Sequence, residues 1–315
     1  MDSKLRVAVI GVGHLGQHHA RILAAMEGVN LVGVADVRPE RAQEIAAKYG
    51  TTPFTDARDL RDRVDAVSIA VPTGMHVEVA LPFLEQRTAV LVEKPLAASL
   101  DEADRLIDAA DRSGSVLAAG HTERFNPAVE AARSLIVNPR FIEVHRLGTF
   151  PERSLDIDVI FDLMIHDLDV LLSIVQSGIA SVEAVGVNVL TPRTDIANVR
   201  IRFASGCIAN LTASRISRDR VRKIRFFQHD AYVSIDYAAR EVEVYKLVRQ
   251  NGRPAIEGGR LPVPDDEPLR RELVDFVEAA RGHRQPGVTG REGRAALALA
   301  TRVADCMREN NDAQV

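Results

Sequence analysis

The sequence predicts an α/β protein in two parts. An N-terminal parallel sheet covered by helices is followed by an α+β part built on a mostly antiparallel, open sheet. Three observations carry this. Up to about residue 121, short apolar runs alternate with stretches of helical spacing, the rhythm of a parallel sheet buried on both faces. Beyond it, strand-like segments follow one another without intervening helices, which reads as antiparallel pairing. The chain has 315 residues, a length suited to two medium domains. The expected domains are 1–121 and 122–315, with the C-terminal helix packing back on the first.

In order, "LRVAVIG" is a continuous apolar run ending in glycine, and "HHARILAAM" follows with helical spacing. "VNLVGVAD" is a strand. "RPERAQEIAAKYG" is a helix, with Pro39 near its start and Gly50 at its end. "DAVSIAVP" and "AVLVEKP" are buried strands, each followed by a helix, "HVEVALPFLEQ" and "SLDEADRLIDAADRSG"; Ser99 caps the second. "SVLAAG" is one more strand. Then "FIEVHRLG", "ANVRIRFA", "CIANLTAS", "KIRFFQHD", "AYVSIDY" and "EVEVYKLV" form the second sheet. "PLRRELVDFVEAARG" and "GREGRAALALATRVADCMREN" close the chain as helices.

The first strand–helix turn carries Gly11-Val12-Gly13-His14-Leu15-Gly16, and Asp36 ends the second strand. A lone GxGxxG is weak. Between a strand and a helix, with an acidic residue at the next strand end, it is the Rossmann dinucleotide fingerprint. Gly11 permits the tight turn, Gly13 lets backbone approach a pyrophosphate, and Gly16 lets helix and strand pack closely. The helix N-terminus offers unpaired N–H groups and the positive end of its dipole. Asp36 suits the ribose hydroxyls and repels a 2′-phosphate, which favours NAD; Arg38 leaves NADP open. His14, Leu15 and Val37 complete this part of the cofactor-binding set. Ligands in such folds sit at the carboxyl ends of the parallel strands, so a cleft between the two domains is expected to hold the site.

Composition bounds the function. The hydrophobic share is 46% and the charged share 27%, as in ordinary soluble proteins. Net charge is −4, with no massed basic patch, which argues against nucleic acid. No apolar run reaches membrane-spanning length, and "MDSKLRVAVIG" enters a strand at once, without a signal peptide. Cys207 and Cys306 match no metal spacing and no disulfide framework. A cytoplasmic protein with no metal and no membrane partner is expected.

"DVIFDLMIHDLDVLLSIV" reads as a buried helix, yet it carries Asp158, Asp162, His166, Asp167 and Asp169. Buried charge is costly unless paired or used. At 100° per residue, Asp158, Asp162, His166 and Asp169 share one stripe, expected to face a cavity. Asp167 points the other way and needs a partner of its own, a surface cation or a helix end. The alternative is a buried salt-bridge network without chemistry.

The Gly-rich turn, "VPTGMH", "EKP" at a strand end and the later D-x-x-x-H resemble, in order and over nearly the whole chain, the Gfo/Idh/MocA oxidoreductases. The resemblance implies NAD(P)-dependent hydride transfer to or from a secondary alcohol of a sugar, and a homodimer or homotetramer. It implies that Lys94, Asp162 and His166 are the catalytic set, with Lys94 also contacting substrate and nicotinamide. Glu93 then faces the cofactor side, and Pro72, Thr73 and His76 line the cofactor and nicotinamide pocket. Chemically, His166 suits the base that takes the hydroxyl proton, with Lys94 its rival; Asp162 orients and Lys94 stabilises the reacting oxygen. Arg124, Asn126 and Arg153 are further substrate candidates, the arginines for a diphosphate.

One departure bears on substrate. Many members carry glycines before the catalytic aspartate and one between it and the histidine; here "IDVIFDLMIHD" places Met164 in the motif. That argues against an inositol-type pocket. "GHTERFNPAV" and "DVIFDLMIHDLD" resemble the branch acting on UDP-N-acetylglucosamine-type sugars at C3. The alternatives are a dehydrogenase of a free sugar or polyol, and a cofactor-binding regulatory protein with a vestigial catalytic set.

Overall fold

The computed structural model describes residues 4–150, 157–250, 253–282 and 284–312. The chain divides into two compact units, Met1–Thr122 with Glu267–Leu297, and Glu123–Asp266 with Ala298–Val315.

The first unit is a six-stranded parallel sheet. Its strands are β1 Leu5–Ile10, β2 Val29–Ala35, β3 Thr52–Phe54, β4 Ala66–Ile69, β5 Ala89–Glu93 and β6 Leu117–Gly120, in the order β3-β2-β1-β4-β5-β6. The order reverses between β1 and β4, the switch point where a crevice opens at the carboxyl ends of the strands. Helices α1 Gly16–Ala24, α2 Pro39–Tyr49, α3 His76–Glu85 and α4 Leu100–Ser113 supply the crossovers. The capping follows the residues. Ser99 Oγ accepts from the Glu102 N–H, and Gly50 and Gly114 end α2 and α4 in the left-handed conformation. The core joins Val7, Val9, Val34 and Leu91 to Leu273, Phe276 and Val277, which lie on α7, Pro268–Ala280.

The second unit opens with α5, Pro127–Arg133, and holds an eight-stranded sheet of β7 Phe141–Leu147, β8 Ile179–Val187, β9 Ile196–Phe203, β10 Ile208–Ser214, β11 Val221–Phe227, β12 Ala231–Asp236, β13 Glu241–Gln250 and β14 Arg253–Leu261. The order is β14-β13-β12-β11-β7-β10-β9-β8, and only β7 and β10 pair in parallel. Sequence periodicity finds six of these strands. It passes over β8, whose burial alternates weakly, and β14, whose glycines and proline obscure a strand. One face is apolar and buried, from Val199, Ile201, Leu211, Val144, Ile224 and Val233. The other carries a row of rings, Phe141, Phe227, Tyr232 and Tyr245, beside the ion pair Arg225–Glu143.

The helix that sequence reads as continuous is interrupted. Ile160–Met164 form a π-helical turn, and the α-helix α6 covers Ile165–Ile174. The last helix, α8 Gly290–Asp312, has residues in both units. No described helix is long and apolar enough to cross a membrane.

Candidate active site

In the first unit, the glycines divide by cause. Gly11 has φ +81°, and a Cβ there would lie 2.6 Å from the Ala70 carbonyl oxygen. A Cβ on Gly16 would lie 1.8 Å from the Gly11 carbonyl oxygen. Both positions are dictated by the fold. A Cβ on Gly13 meets nothing within 4 Å. No protein atom demands a glycine there, and the open side suits a group brought in from outside. α1 starts at this loop without a side-chain cap; its Gln17 and His18 N–H groups donate to the Gly13 and Leu15 carbonyls, and the positive end of the helix dipole lies at the loop. These features fit the pyrophosphate of a dinucleotide.

Asp36 follows β2 and braces the loop. Its Oδ2 accepts from the Val12 N–H at 3.1 Å; its Oδ1 accepts from the Arg38 N–H at 3.0 Å and from Arg38 Nε at 3.2 Å. Burial works against its charge, and these donors outweigh burial, holding the carboxyl below its ordinary value. It is ionised at neutral pH with acceptor capacity left for hydroxyl groups. The Arg38 side chain is 63% exposed, and Val37 and Leu15 are exposed too. Sequence reading misses Arg41: on the first turn of α2, its Nε donates to the Val12 carbonyl at 2.8 Å and its Nη2 to the Gly13 carbonyl at 3.4 Å. A basic residue early in a helix carries no local signal for this, because the partners lie 29 and 28 positions away.

Pro72 is exposed and Thr73 opens a short 3₁₀ turn, Thr73–Met75. His76 differs from expectation. It is 1% exposed, with Nε2 3.0 Å from the Val71 carbonyl and Nδ1 3.0 Å from the Pro95 carbonyl. Burial lowers its pKa; the ring lies between the turn after β4 and the turn after β5, and in its neutral form it donates to one of these two carbonyls. Lys94 is half-buried at the end of β5, before a cis peptide bond to Pro95. Glu93 is buried; its Oε2 accepts from the Lys94 N–H at 3.1 Å, and its Oε1 faces His19 Nε2 at 3.1 Å.

In the second unit, the expected polar stripe separates. Asp158 sits before the π turn and accepts from the Thr194 N–H at 2.8 Å. Asp162 lies within the turn and His166 at the start of α6, and both are half-buried. Asp169 is buried and takes both Nε and Nη2 of Arg124, at 2.9 and 2.7 Å. The stripe assumed one helical period. The wider turn shifts the phase, and Arg124 removes Asp169 from the wet face. Asp167 needs no surface cation. It is 1% exposed and pairs with Arg146 Nε at 2.6 Å and Nη2 at 2.9 Å. Arg146 also reaches Glu123 at 3.0 Å and lies over the Tyr237 ring. Burial works against the Arg146 charge, and Asp167 and Glu123 outweigh it.

Two bidentate pairs thus grip α6 at the first and third residues after His166. π turns recur at functional sites, and this one ends at Met164, the residue that departs from the family pattern. Asn126, a substrate candidate, is instead a buried cap. Its Oδ1 accepts from the Ala128 N–H, and its Nδ2 donates to Glu123 and to the Tyr237 carbonyl. Arg153 lies outside the described residues. Among the described residues no group of three or more His, Cys, Asp or Glu could hold a metal ion.

Residues 5–121 match the oxidoreductase family with an NAD-binding Rossmann fold, and residues 138–232 match the GFO/IDH/MocA C-terminal domain. The chain is 39% identical over 302 residues to a UDP-N-acetylglucosamine 3-dehydrogenase from Acidithiobacillus ferrooxidans, covering 95% of this chain and 96% of that protein. A solved structure of the same enzyme superposes with a TM-score of 0.89 over 96% of this chain and 97% of the other. A myo-inositol 2-dehydrogenase from Thermotoga maritima is 27% identical over 319 residues, 94% of each chain.

Proposed function

The chain belongs to the Gfo/Idh/MocA oxidoreductase family, and from that premise we propose that it oxidises the C3 hydroxyl of a UDP-N-acetylhexosamine with NAD. The observation that carries the substrate is the 39% identity to a UDP-N-acetylglucosamine 3-dehydrogenase over 95% of this chain. Of the two arginines expected at a diphosphate, Arg124 pairs with Asp169, and Arg153 lies outside the described residues.

Bound NAD supplies the hydride acceptor. The glycine loop and the positive end of the α1 dipole would hold its pyrophosphate, and Asp36 would take the ribose hydroxyls. His14, Leu15, Val37 and Arg38 border that site. His166 takes the proton from the sugar hydroxyl, Asp162 orients ring or sugar, and Lys94 donates to the oxygen as negative charge develops on it.

Incubation with NAD and UDP-N-acetylglucosamine should raise the NADH absorbance. It should also yield a keto sugar nucleotide lighter by about two mass units, the hydride and proton removed. Oxidation of myo-inositol or glucose at a higher kcat/KM, with no such ketone, overturns the substrate assignment.

The protein is further assigned to the cytoplasm and to a homodimer or homotetramer. The aromatic row of the second sheet, with Leu247 and Ile256 exposed beside it, supports association. Light scattering showing a monomer at micromolar concentration refutes the oligomer.

A further inference from the structure

Inside the first unit, three polar side chains form a buried chain that the mechanism above does not use. Ser68 on β4 and His19 on α1 are both fully buried. Ser68 Oγ lies 2.7 Å from His19 Nδ1. His19 Nε2 lies 3.1 Å from Glu93 Oε1, at an angle outside that of an aligned hydrogen bond. Glu93 Oε2 accepts from the Lys94 N–H.

Each link has a physical reason. A carboxylate in this setting is costly unless compensated. If the serine hydroxyl donates to Nδ1, the ring proton is left on Nε2, facing the carboxylate. Burial alone would push the Glu93 carboxyl up; His19 and Lys94 outweigh it and hold it below its ordinary value. Space is reserved as well. A Cβ on Gly120, opposite Glu93 on β6, would lie 3.0 Å from Glu93 Cα and 3.2 Å from Oε2. Gly120 has no positive φ, so this glycine answers to sterics.

We infer that His19 is a positioning residue for the dehydrogenation: it anchors the Glu93 carboxylate, which holds the Lys94 peptide and sets the direction in which the Lys94 side chain leaves β5. This rests on the assignment of Lys94 to the reacting oxygen. Removing His19 leaves the carboxylate without its ring partner, and Glu93 turns away from the Lys94 N–H. Cofactor affinity, which comes from the glycine loop and Asp36, stays.

The test compares wild type with Lys94→Ala, His19→Ala, His19→Gln and Gly120→Ala. The substrate is whichever of UDP-N-acetylglucosamine, glucose and myo-inositol the wild type oxidises fastest. NADH affinity is read by fluorescence. His19→Ala should lower kcat by about tenfold to a hundredfold, the scale of a misplaced reacting group, with NADH Kd and sugar KM within about threefold. His19→Gln, which keeps an N–H donor, should recover most of the loss. Gly120→Ala should lower kcat with NADH Kd unchanged.

A His19→Ala enzyme within about twofold of wild-type kcat overturns the inference, as does a loss that His19→Gln does not recover. A parallel loss of NADH affinity also overturns it, since that marks a merely structural histidine. If His19→Ala fails to fold, Gly120→Ala decides: a normal kcat sinks the inference, a lowered kcat with intact NADH binding supports it. Lys94→Ala with normal turnover removes the Lys94 assignment and this inference together. Lys94→Ala without turnover, beside an unaffected His19→Ala, removes this inference alone.

Discussion

The two units carry charged groups in opposite ways. In the first, Asp36, Glu93 and Lys94 stand at strand ends, where a parallel sheet stops and its crevice opens. In the second, Asp162, His166, Asp167 and Asp169 lie within a π turn and the helix that follows it, among buried Val159, Ile160, Met164 and Leu168. A strand end brings its last side chains to the crevice by topology, and there Asp36 and Glu93 are buried while Lys94 is half-buried. A buried helix exposes a charge only where the backbone departs from regularity. Arg146 and Arg124 claim Asp167 and Asp169. Asp162 and His166 fall on either side of the junction between π and α geometry. On the proposed mechanism, charge in this apolar helix divides into scaffold at Asp167 and Asp169, held by the arginines, and chemistry at Asp162 and His166.

The sharpest test of that separation sets His166→Ala and Lys94→Ala against the arginine pairs. Each of the two should lower kcat by on the order of 10²–10⁴-fold, with NAD affinity and folding little changed. A His166→Ala enzyme with near-normal kcat takes the histidine out of the mechanism and collapses the distinction. Next in size, Arg146→Met or Asp167→Ala strands a buried charge. The expected loss is about 3–5 kcal/mol in denaturant melts. A loss well under about 1 kcal/mol in either would mean the site is wetter than its burial suggests.

In the first unit the corresponding change is one of preference. Asp36→Ala should move the ratio of NADP to NAD affinity towards NADP by about tenfold, near 1.4 kcal/mol, read by calorimetry with both cofactors. An unchanged ratio would assign the choice to Arg38 or Arg41. The smallest effect is on acid stability. Burial opposes the charge of Asp195, but the N–H groups of Leu190, Thr191 and Val189 and the Thr191 hydroxyl outweigh it, holding the carboxyl at about 2. With the folded value below an unfolded value of about 4, Asp195 stabilises the fold fully above about pH 4, and that share is lost as pH falls through about 2. Asp195→Asn should flatten that acid limb in thermal melts; an unaltered limb assigns it to other carboxylates.

Much of the first unit was legible because its signals are local. The strand runs, the caps Ser99 and Gly50, and the spacing from Gly11 to Asp36 each lie within one βαβ repeat, and Gly11 and Gly16 stand where the turn geometry needs them. The period-2 alternation of the second sheet showed most of its strands. Lys94, Asp162 and His166 were picked out by their motif and not by their surroundings. What the sequence determined, then, was the sequence-local part: period, capping, turn chemistry and the residue types available for hydride and proton transfer. Only the tertiary structure decided which charges became struts. Arg124 meets Asp169 across 45 positions, Arg146 meets Asp167 across 21, and Arg41 meets the glycine loop across 29. It also placed the π turn, which broke the 100° wheel, and turned His76 and Asn126 inward onto backbone groups. The reason is that a buried charge takes its partner from whatever the fold brings within about 3 Å, and no period along the chain encodes that distance.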